Sequence, residues 1–166
     1  MSTQGSAEQV EELKEQLQKI SEFINKGGTG DVPDLSPEAI SCLYASAYEF
    51  YVNGKFETAR HFFHVLTVIE PYAKRNWMGL GATYQAEKNY MSALEAYSLA
   101  ATLDLEDPYI SFHAAECFFF LNLMDKGFEA LDAAAAIAAE QELHPLNVHI
   151  DLMRKGWQNY LVKKGN

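Results

Sequence analysis

Two pairs of side chains in this sequence have a spacing at which they could act together chemically. His61 and His64 are three residues apart, which would let two imidazoles of one helix bind a metal ion. His113 and Cys117 are four residues apart, so a base could lie beside a thiol on one helical face. No cysteine or carboxylate cluster completes a metal site around the first pair. We therefore expect solvated histidines at positions 61 and 64, and no bound metal.

A cluster of carboxylates with a capping role and the absence of catalytic motifs both argue against catalysis. Asp104, Glu106 and Asp107 fall in one predicted turn, where carboxylates commonly cap the following helix. The sequence contains no glycine-rich phosphate loop, no GxSxG and no HExxH. We therefore predict a protein that is not an enzyme and that has no cofactor.

The composition favours a folded, acidic protein without disulfides. Of the 166 residues, 48% are hydrophobic, which provides enough apolar surface to offset the entropy of ordering the chain. The formal net charge of -10 would repel a phosphate backbone and argues against nucleic-acid binding. Cys42 and Cys117 form no CxxC pair, as expected in a reducing compartment.

The N-terminus has neither a basic start nor an apolar centre, so it does not resemble a signal peptide. The longest apolar stretches, such as 117–121, are far shorter than the ~20 residues that span a bilayer. These features predict a cytoplasmic protein that does not insert into membranes.

A pattern of small and aromatic residues repeats every 34 residues through the middle of the chain. This pattern indicates the helices that must position the side chains named above. Small residues recur at Ala47, Gly81 and Ala115, and again at Ala59, Ala93 and Gly127. Aromatic or large apolar residues recur at Phe50, Tyr84 and Phe118, at Phe56, Tyr90 and Met124, and at Phe63, Tyr97 and Leu131. This order is typical of the tetratricopeptide helix-turn-helix, in which small residues let two helices cross closely.

The sequence therefore predicts an all-α fold with three tetratricopeptide repeats in a short right-handed solenoid. The repeats are expected at about 40–73, 74–107 and 108–141, with turns at 53–55, 87–89 and 121–123. Ser36-Pro37 and Asp107-Pro108 are typical of helix N-caps followed by proline in the first turn. A C-terminal helix at 145–163 has an apolar stripe and is expected to cap the last repeat.

The first 35 residues are predicted to form a separate segment for dimerisation, before a repeat domain at 36–166. An acidic amphipathic helix at 7–26 has apolar residues alternately three and four positions apart, which suits one partner helix. These residues are Val10, Leu13, Leu17, Ile20 and Ile24. A glycine-rich joint at 27–30 then ends the helix.

Stacked repeats of this kind curve, and the first helix of each repeat lines the concave surface. We expect groove residues on the face of that helix opposite its packing positions. They are Tyr44, Tyr48 and Tyr51 in the first repeat, Arg75, Met78, Ala82 and Gln85 in the second, and Tyr109, Phe112, Glu116 and Phe119 in the third. An aromatic, mostly uncharged groove suits an extended peptide with apolar and proline anchors.

The three tyrosines could instead be ordinary core residues. The packing positions of the same helix are already occupied by Leu43, Ala47 and Phe50, so we favour a binding role for the tyrosines. Cys117, in contrast, falls on the packing side of its helix, where a buried cysteine is usually inert. We therefore do not assign a nucleophile to this position.

Three stretches of the chain resemble a known family. They are Leu43 to Tyr51 followed by Gly54-Lys55-Phe56, then Met78 to Ala82, and then Phe112 to Cys117. They are similar to class II chaperones of type III secretion translocators in Gram-negative bacteria, and the likeness covers roughly residues 10–160. The run Phe-His-Ala-Ala-Glu-Cys is the most specific part, because tetratricopeptide repeats in general have no reason to share it.

The resemblance implies a cytoplasmic bacterial chaperone connected with virulence. Members of this family bind an extended segment of hydrophobic, pore-forming translocator proteins in the concave groove and keep these clients soluble before export. The resemblance also implies that Tyr44, Tyr48 and Tyr51 are groove tyrosines, and that N-terminal helices form a homodimer. The alternative is a generic tetratricopeptide scaffold that joins folded proteins.

Overall fold

The computed structural model describes residues 3–25 and 31–164, and within them it contains eight α-helices and no strand. The helices are α1 (Thr3–Asn25), α2 (Pro37–Val52), α3 (Phe56–Ile69), α4 (Lys74–Ala86), α5 (Tyr90–Leu103), α6 (Pro108–Phe120), α7 (Met124–Glu140) and α8 (His144–Lys164). None of them is both long enough and apolar enough to cross a bilayer. The prediction of an all-α fold is confirmed.

Helices α2 to α7 form three helix-turn-helix pairs in the predicted register. Each pair is joined by the three residues that the sequence assigned to its turn, at 53–55, 87–89 and 121–123. The first repeat begins earlier than residue 40, because Ser36 caps α2. Its Oγ accepts the N–H of Ala39 at 3.2 Å, and Pro37 is the first helical residue.

The middle residue of each turn has a left-handed backbone. The φ angle is 73° at Gly54, 63° at Lys88 and 61° at Asn122. This conformation costs a residue with a Cβ atom roughly 1–2 kcal/mol, whereas glycine adopts it freely. The three turns therefore share one geometry, although only the first has the residue that adopts it without strain.

The chain divides into two compact units, residues 1–80 and 81–166, with the boundary inside α4. The first unit includes α1, so the units do not divide at residue 35, where the predicted dimerisation segment ends. Gln16 of α1 is buried, and its Oε1 accepts the backbone N–H of Ser36 at 2.9 Å. The buried apolar residues of this unit include Ile20, Phe23, Leu43, Ala47, Ala59, Phe63 and Leu66.

The second unit has its own core, to which α6, α7 and α8 contribute. Its buried residues are Ala115, Phe119, Leu131, Ala134, Ala138, Leu146 and Ile150. A Cβ atom added to Gly127 would lie 2.5 Å from Cδ1 of Phe119, so the close packing at this point needs glycine. Leu146 and Ile150 belong to α8, which covers the last repeat as its apolar stripe predicts.

Candidate functional site

The three tyrosines predicted to bind a peptide lie on α2, within the first unit. Leu43 and Ala47 are buried on the packing face of this helix, whereas Tyr48 is 55% exposed. Tyr44 and Tyr51 are half-buried. The part of α2 beside the packing face therefore presents phenol groups to solvent.

Tyr44 is held from two sides. Its ring packs edge-on against Phe63, with ring centroids 5.7 Å apart. The guanidinium group of Arg75 lies 4.9 Å from the centroid of the same ring, and Arg75 Nη2 donates to Glu70 Oε2 at 3.2 Å. The structure thus brings together Tyr44 and Arg75, two residues that the sequence assigned to different repeats. A cation–π contact at an exposed site contributes about 0.5–1 kcal/mol.

The remaining groove residues predicted in the first unit are Tyr51 and Met78. The ring of Tyr51 lies 5.8 Å from that of Phe56 at the start of α3. Met78 is half-buried on α4. Both side chains are thus packed on one side and partly accessible, as residues of a preformed binding surface should be.

In the second unit, four polar side chains from α4, α5 and α6 form one hydrogen-bonded chain. Tyr97 Oη donates to Gln85 Oε1 at 2.8 Å, and Gln85 Nε2 donates to Glu116 Oε2 at 3.0 Å. His113 Nδ1 lies 2.8 Å from the same oxygen of Glu116. Gln85 and Glu116 were predicted as groove residues. The sequence alone did not indicate that Tyr97 and His113 would join them.

Burial and hydrogen bonding act on Glu116 in opposite directions. Desolvation is the largest effect and would raise the pKa of the carboxyl group, but the hydrogen bonds from His113 and Gln85 outweigh it, so the pKa lies below its ordinary value. The carboxylate is therefore ionised at neutral pH. His113 Nδ1 must then be the donor in its contact, because an ionised carboxylate only accepts hydrogen bonds.

The possible base and thiol pair of α6 does not form. His113 is bonded to Glu116, and Cys117 is fully buried. Burial, with a smaller contribution from the charge of Glu116, raises the pKa of the Cys117 thiol to about 12, so almost no thiolate exists at neutral pH. His61 and His64 are both exposed on α3, and no group of three metal-binding side chains occurs within the part of the chain that the structure describes.

One predicted groove residue of the third repeat is wrong. Phe119 is 1% exposed, and its ring stacks on Trp157 of α8 with centroids 4.9 Å apart. It also packs edge-on against Phe128. Phe119 follows Phe112 by seven residues, so the two side chains lie on the same stripe of α6. The C-terminal helix covers that end of the stripe, which the periodicity of α6 cannot show.

The other groove residues of the second unit remain accessible. Tyr109 is 46% exposed, and Ala82 and Phe112 are half-buried. The ring of Phe112 lies edge-on to the imidazole of His113, with centroids 5.4 Å apart. An aromatic surface therefore adjoins the polar chain of Gln85 and Glu116.

The residues predicted for dimerisation on α1 are not all accessible to a second copy of the chain. Val10 is 53% exposed and Leu17 is 43% exposed, so both could meet a partner. Ile20 is 3% exposed within the first unit, and its predicted role as a contact between copies is wrong. The helix already packs on its own chain through this side. The side chains of Leu13 and Ile24, like the joint at 27–30, lie outside the described residues.

The second unit also contains a pocket that sequence reasoning missed. Its volume is about 540 Å³, and it lies where the end of α6 and the second half of α8 meet the start of α7. The lining residues are Phe119, Phe120, Asn122, Met124, Met153, Gly156, Trp157 and Tyr160. The available signal in the sequence is Met153 and Trp157, which belong to the apolar stripe of the capping helix.

Comparison with known proteins connects this chain with secretion chaperones. The tetratricopeptide repeat family matches residues 42–72 and 76–107. Low calcium response locus protein H of Yersinia pestis is 36% identical over 125 residues, which are 75% of this chain and 71% of that protein.

Two solved structures are similar over nearly their whole length. PcrH, in complex with the chaperone binding region of PopB, is 35% identical with a TM-score of 0.69, and the match covers 72% of this chain and 97% of that one. The Yersinia enterocolitica type III secretion chaperone SycD, in complex with a peptide of the translocator YopD, is 30% identical with a TM-score of 0.71. That match covers 77% of this chain and 98% of SycD, which has also been solved as an alternative dimer.

Proposed function

Because this chain belongs to the family of type III secretion translocator chaperones, we propose that it binds an extended segment of a hydrophobic translocator protein. Its relatives PcrH and SycD bind segments of PopB and of the translocator YopD. The observation on this chain that carries the proposal is the tyrosine surface of α2. Tyr48 is exposed and Tyr44 is half-buried, although the packing face of the helix is already filled.

The physical role of such a chaperone follows from the chemistry of its client. A protein that inserts into membranes exposes apolar stretches, which aggregate in water before the protein reaches its target. Binding of the unfolded client by the chaperone stabilises the soluble form by mass action. Since ordering a disordered segment costs free energy, the affinity should be moderate, and release at the secretion apparatus remains feasible.

We assign one client-binding surface to each compact unit. The surface of the first unit consists of Tyr44, Tyr48, Tyr51, Arg75 and Met78. The surface of the second unit consists of Ala82, Gln85, Tyr109, Phe112 and Glu116. Aromatic rings in both surfaces supply large contact areas at a low entropy cost, and the few polar groups supply orientation.

The same family membership supports a homodimer in the bacterial cytoplasm, with no catalytic activity of its own. For the dimer contact we retain Val10 and Leu17, which are apolar, exposed and among the residues predicted for dimerisation. The segment up to residue 35 would then act in dimerisation and the repeats in client binding. The thiol of Cys117 stays protonated at neutral pH, so it supplies no nucleophile beside His113.

The proposal is tested by affinity capture from the source bacterium with a tagged chaperone. The Tyr44→Ala/Tyr48→Ala variant should lose the client, because it removes two rings from the surface of α2. Tyr72→Ala is the matched control, since Tyr72 is 86% exposed in the same unit and belongs to neither surface. We expect the wild type and the control to retain one or two hydrophobic secreted proteins.

Other outcomes of the capture experiment would contradict the proposal. If folded soluble proteins are recovered in place of secreted ones, the chain is a scaffold of the generic tetratricopeptide kind. If the double variant retains the same translocators as the wild type, the surface on α2 is wrongly assigned. Circular dichroism of the three proteins shows whether their helical content is equal.

A further inference from the structure

The motif Phe-His-Ala-Ala-Glu-Cys at 112–117 places two polar side chains, His113 and Glu116, one turn apart on α6. In the second unit they are connected to Gln85 and Tyr97 by contacts of 2.8–3.0 Å. The side chains of His113 and Glu116 are still 34% and 28% exposed. The carboxylate of Glu116 is thus fixed by its neighbours and can be reached from solvent.

In the part of the chain that the structure describes, both hydrogen-bond donors to this carboxylate bond to the same oxygen. Gln85 and His113 both donate to Oε2, and no group among the described residues donates to Oε1. Within the same part of the chain, no lysine or arginine forms an ion pair with Glu116. Because a carboxylate can accept about four hydrogen bonds, Oε1 has room for donors from a ligand.

A purely structural role is the obvious alternative for such a chain of hydrogen bonds. A structural carboxylate enclosed in the protein would use both oxygens there, since a buried oxygen without a donor costs free energy. The Glu116 side chain is instead 28% exposed. In this unit the donors instead hold the side chain by one oxygen. The arrangement positions the carboxylate and leaves its other oxygen unused.

Aromatic rings surround this position. The imidazole of His113 stacks on the ring of Tyr97, with centroids 5.8 Å apart, and Phe112 packs edge-on against it. Tyr109, 46% exposed, lies one turn earlier on α6. Carboxylates and aromatic faces both attract cationic side chains. The net charge of -10 also attracts cationic ligands at long range.

We propose that Glu116 is a specificity-determining residue of the second unit's surface, where it selects a lysine or arginine of the client segment. Gln85 and His113 act as positioning residues, because they hold the carboxylate through Oε2. The rings of Tyr109 and Phe112 accept the apolar part of the segment next to this cation. This inference rests on the proposed function and specifies which client sequence the site prefers.

The test uses the full-length chaperone and overlapping synthetic peptides of the captured translocator. Peptides that bind the wild type are remade with each lysine or arginine changed to glutamine, one at a time. One such change should weaken binding to the wild type by about tenfold, as expected for a charge-assisted hydrogen bond. Replacing that lysine by arginine, or that arginine by lysine, should change binding by less than about threefold, because the cation is kept.

Glu116→Gln completes a double-mutant cycle with the same peptides. The variant should bind the unchanged peptide about tenfold more weakly, and it should no longer distinguish that peptide from its glutamine form. Glu95→Gln is the matched control, since Glu95 is exposed on α5 of the same unit. It removes the same charge and should leave both affinities unchanged.

The outcomes separate this inference from the proposed function. If no translocator peptide binds the wild type, both fail. If peptides bind and no glutamine change weakens them, or if Glu116→Gln weakens both peptide forms equally, the carboxylate is structural and only this inference fails. If Glu116→Gln does not fold, the peptide comparison on the wild type can still overturn the inference, because the inference requires one glutamine change to weaken binding.

Discussion

At the scale of single residues, the two cysteines show how the position of a side chain on its helix controls its reactivity. Cys42 is exposed on α2, and Cys117 is fully buried on α6. Burial raises the pKa of Cys117 to about 12, far above that of a free thiol. Because the thiolate is the reactive species, the protein should react through Cys42 alone at neutral pH.

This difference predicts the result of thiol labelling. N-ethylmaleimide at pH 7 should modify one thiol per native chain and two thiols after unfolding in urea, as counted by mass spectrometry. In the Cys42→Ser variant, labelling of the native protein should be at least about a hundredfold slower than that of a free thiol, because the sulfur is inaccessible and protonated. Labelling of this variant at the rate of a free cysteine would show that Cys117 is open to solvent.

Glu116 shows the opposite effect of surroundings on a titratable group. Its pKa is lowered in the folded chain, so its contribution to stability is present at neutral pH and is lost as the pH falls through the folded pKa. Composition and spacing could not reveal this in full, because one of the two donors to the carboxylate, Gln85, lies on another helix. Glu116 is one of the eleven predicted groove residues, and its hydrogen bonds distinguish it from the others as a fixed, ionised carboxylate.

At the scale of elements, the three repeat turns keep one backbone geometry with three different middle residues. Gly54 fits the left-handed conformation, while Lys88 and Asn122 adopt it at a cost. The helices on either side impose the turn, because their spacing fixes where the chain must reverse. Local residue preference therefore matters less here than the contacts of the flanking helices.

The turns give a matched pair of stability predictions. Lys88→Gly should raise the free energy of unfolding by about 0.5–1 kcal/mol, because removal of the strained Cβ outweighs the entropy that glycine adds to the unfolded chain. Gly54→Ala should lower it by about 1 kcal/mol, although no atom lies within 4 Å of the new Cβ, since the cost is in the backbone alone. Urea unfolding measures both. A stabilising Gly54→Ala would show that the turn does not need its left-handed residue.

At the scale of the whole molecule, we propose that dimerisation uses the part of α1 that its own chain does not cover. The helix packs inward through Ile20 and Phe23, both buried in the first unit. Val10 and Leu17 lie seven residues apart on an exposed stripe of the same helix. A second copy could bury this stripe without any change in the first unit.

The dimer prediction can be tested with charges on this stripe. Val10→Glu/Leu17→Glu should convert the dimer to a monomer in analytical ultracentrifugation and leave the helical content in circular dichroism unchanged, because both side chains are exposed. Val52→Glu is the control, since Val52 is 58% exposed on α2 and lies outside the stripe. A double variant that sediments like the wild type would rule out this contact. Ile20→Glu, in contrast, should destabilise the fold itself, because it buries a charge.

The sequence by itself determined the helices, the repeat register and the turns. The helices depend on apolar spacings within a few helical turns, and the register depends on small residues that recur every 34 positions, as at Ala47, Gly81 and Ala115. The same local pattern separated the tyrosines of α2 from the packing positions of Leu43 and Ala47. Family resemblance then supplied the class of client, which periodicity cannot provide.

Only the tertiary structure decided which residues of a helical stripe remain accessible. Phe119 lies on the same stripe as Phe112, yet Trp157 of α8 covers it, and Ile20 is buried by the packing of α1. The hydrogen bond between Gln85 on α4 and Glu116 on α6 joins two residues that are 31 positions apart in the chain. Burial and hydrogen bonding of this kind depend on which elements become neighbours in space, and a pattern within one helix contains no information about its neighbours.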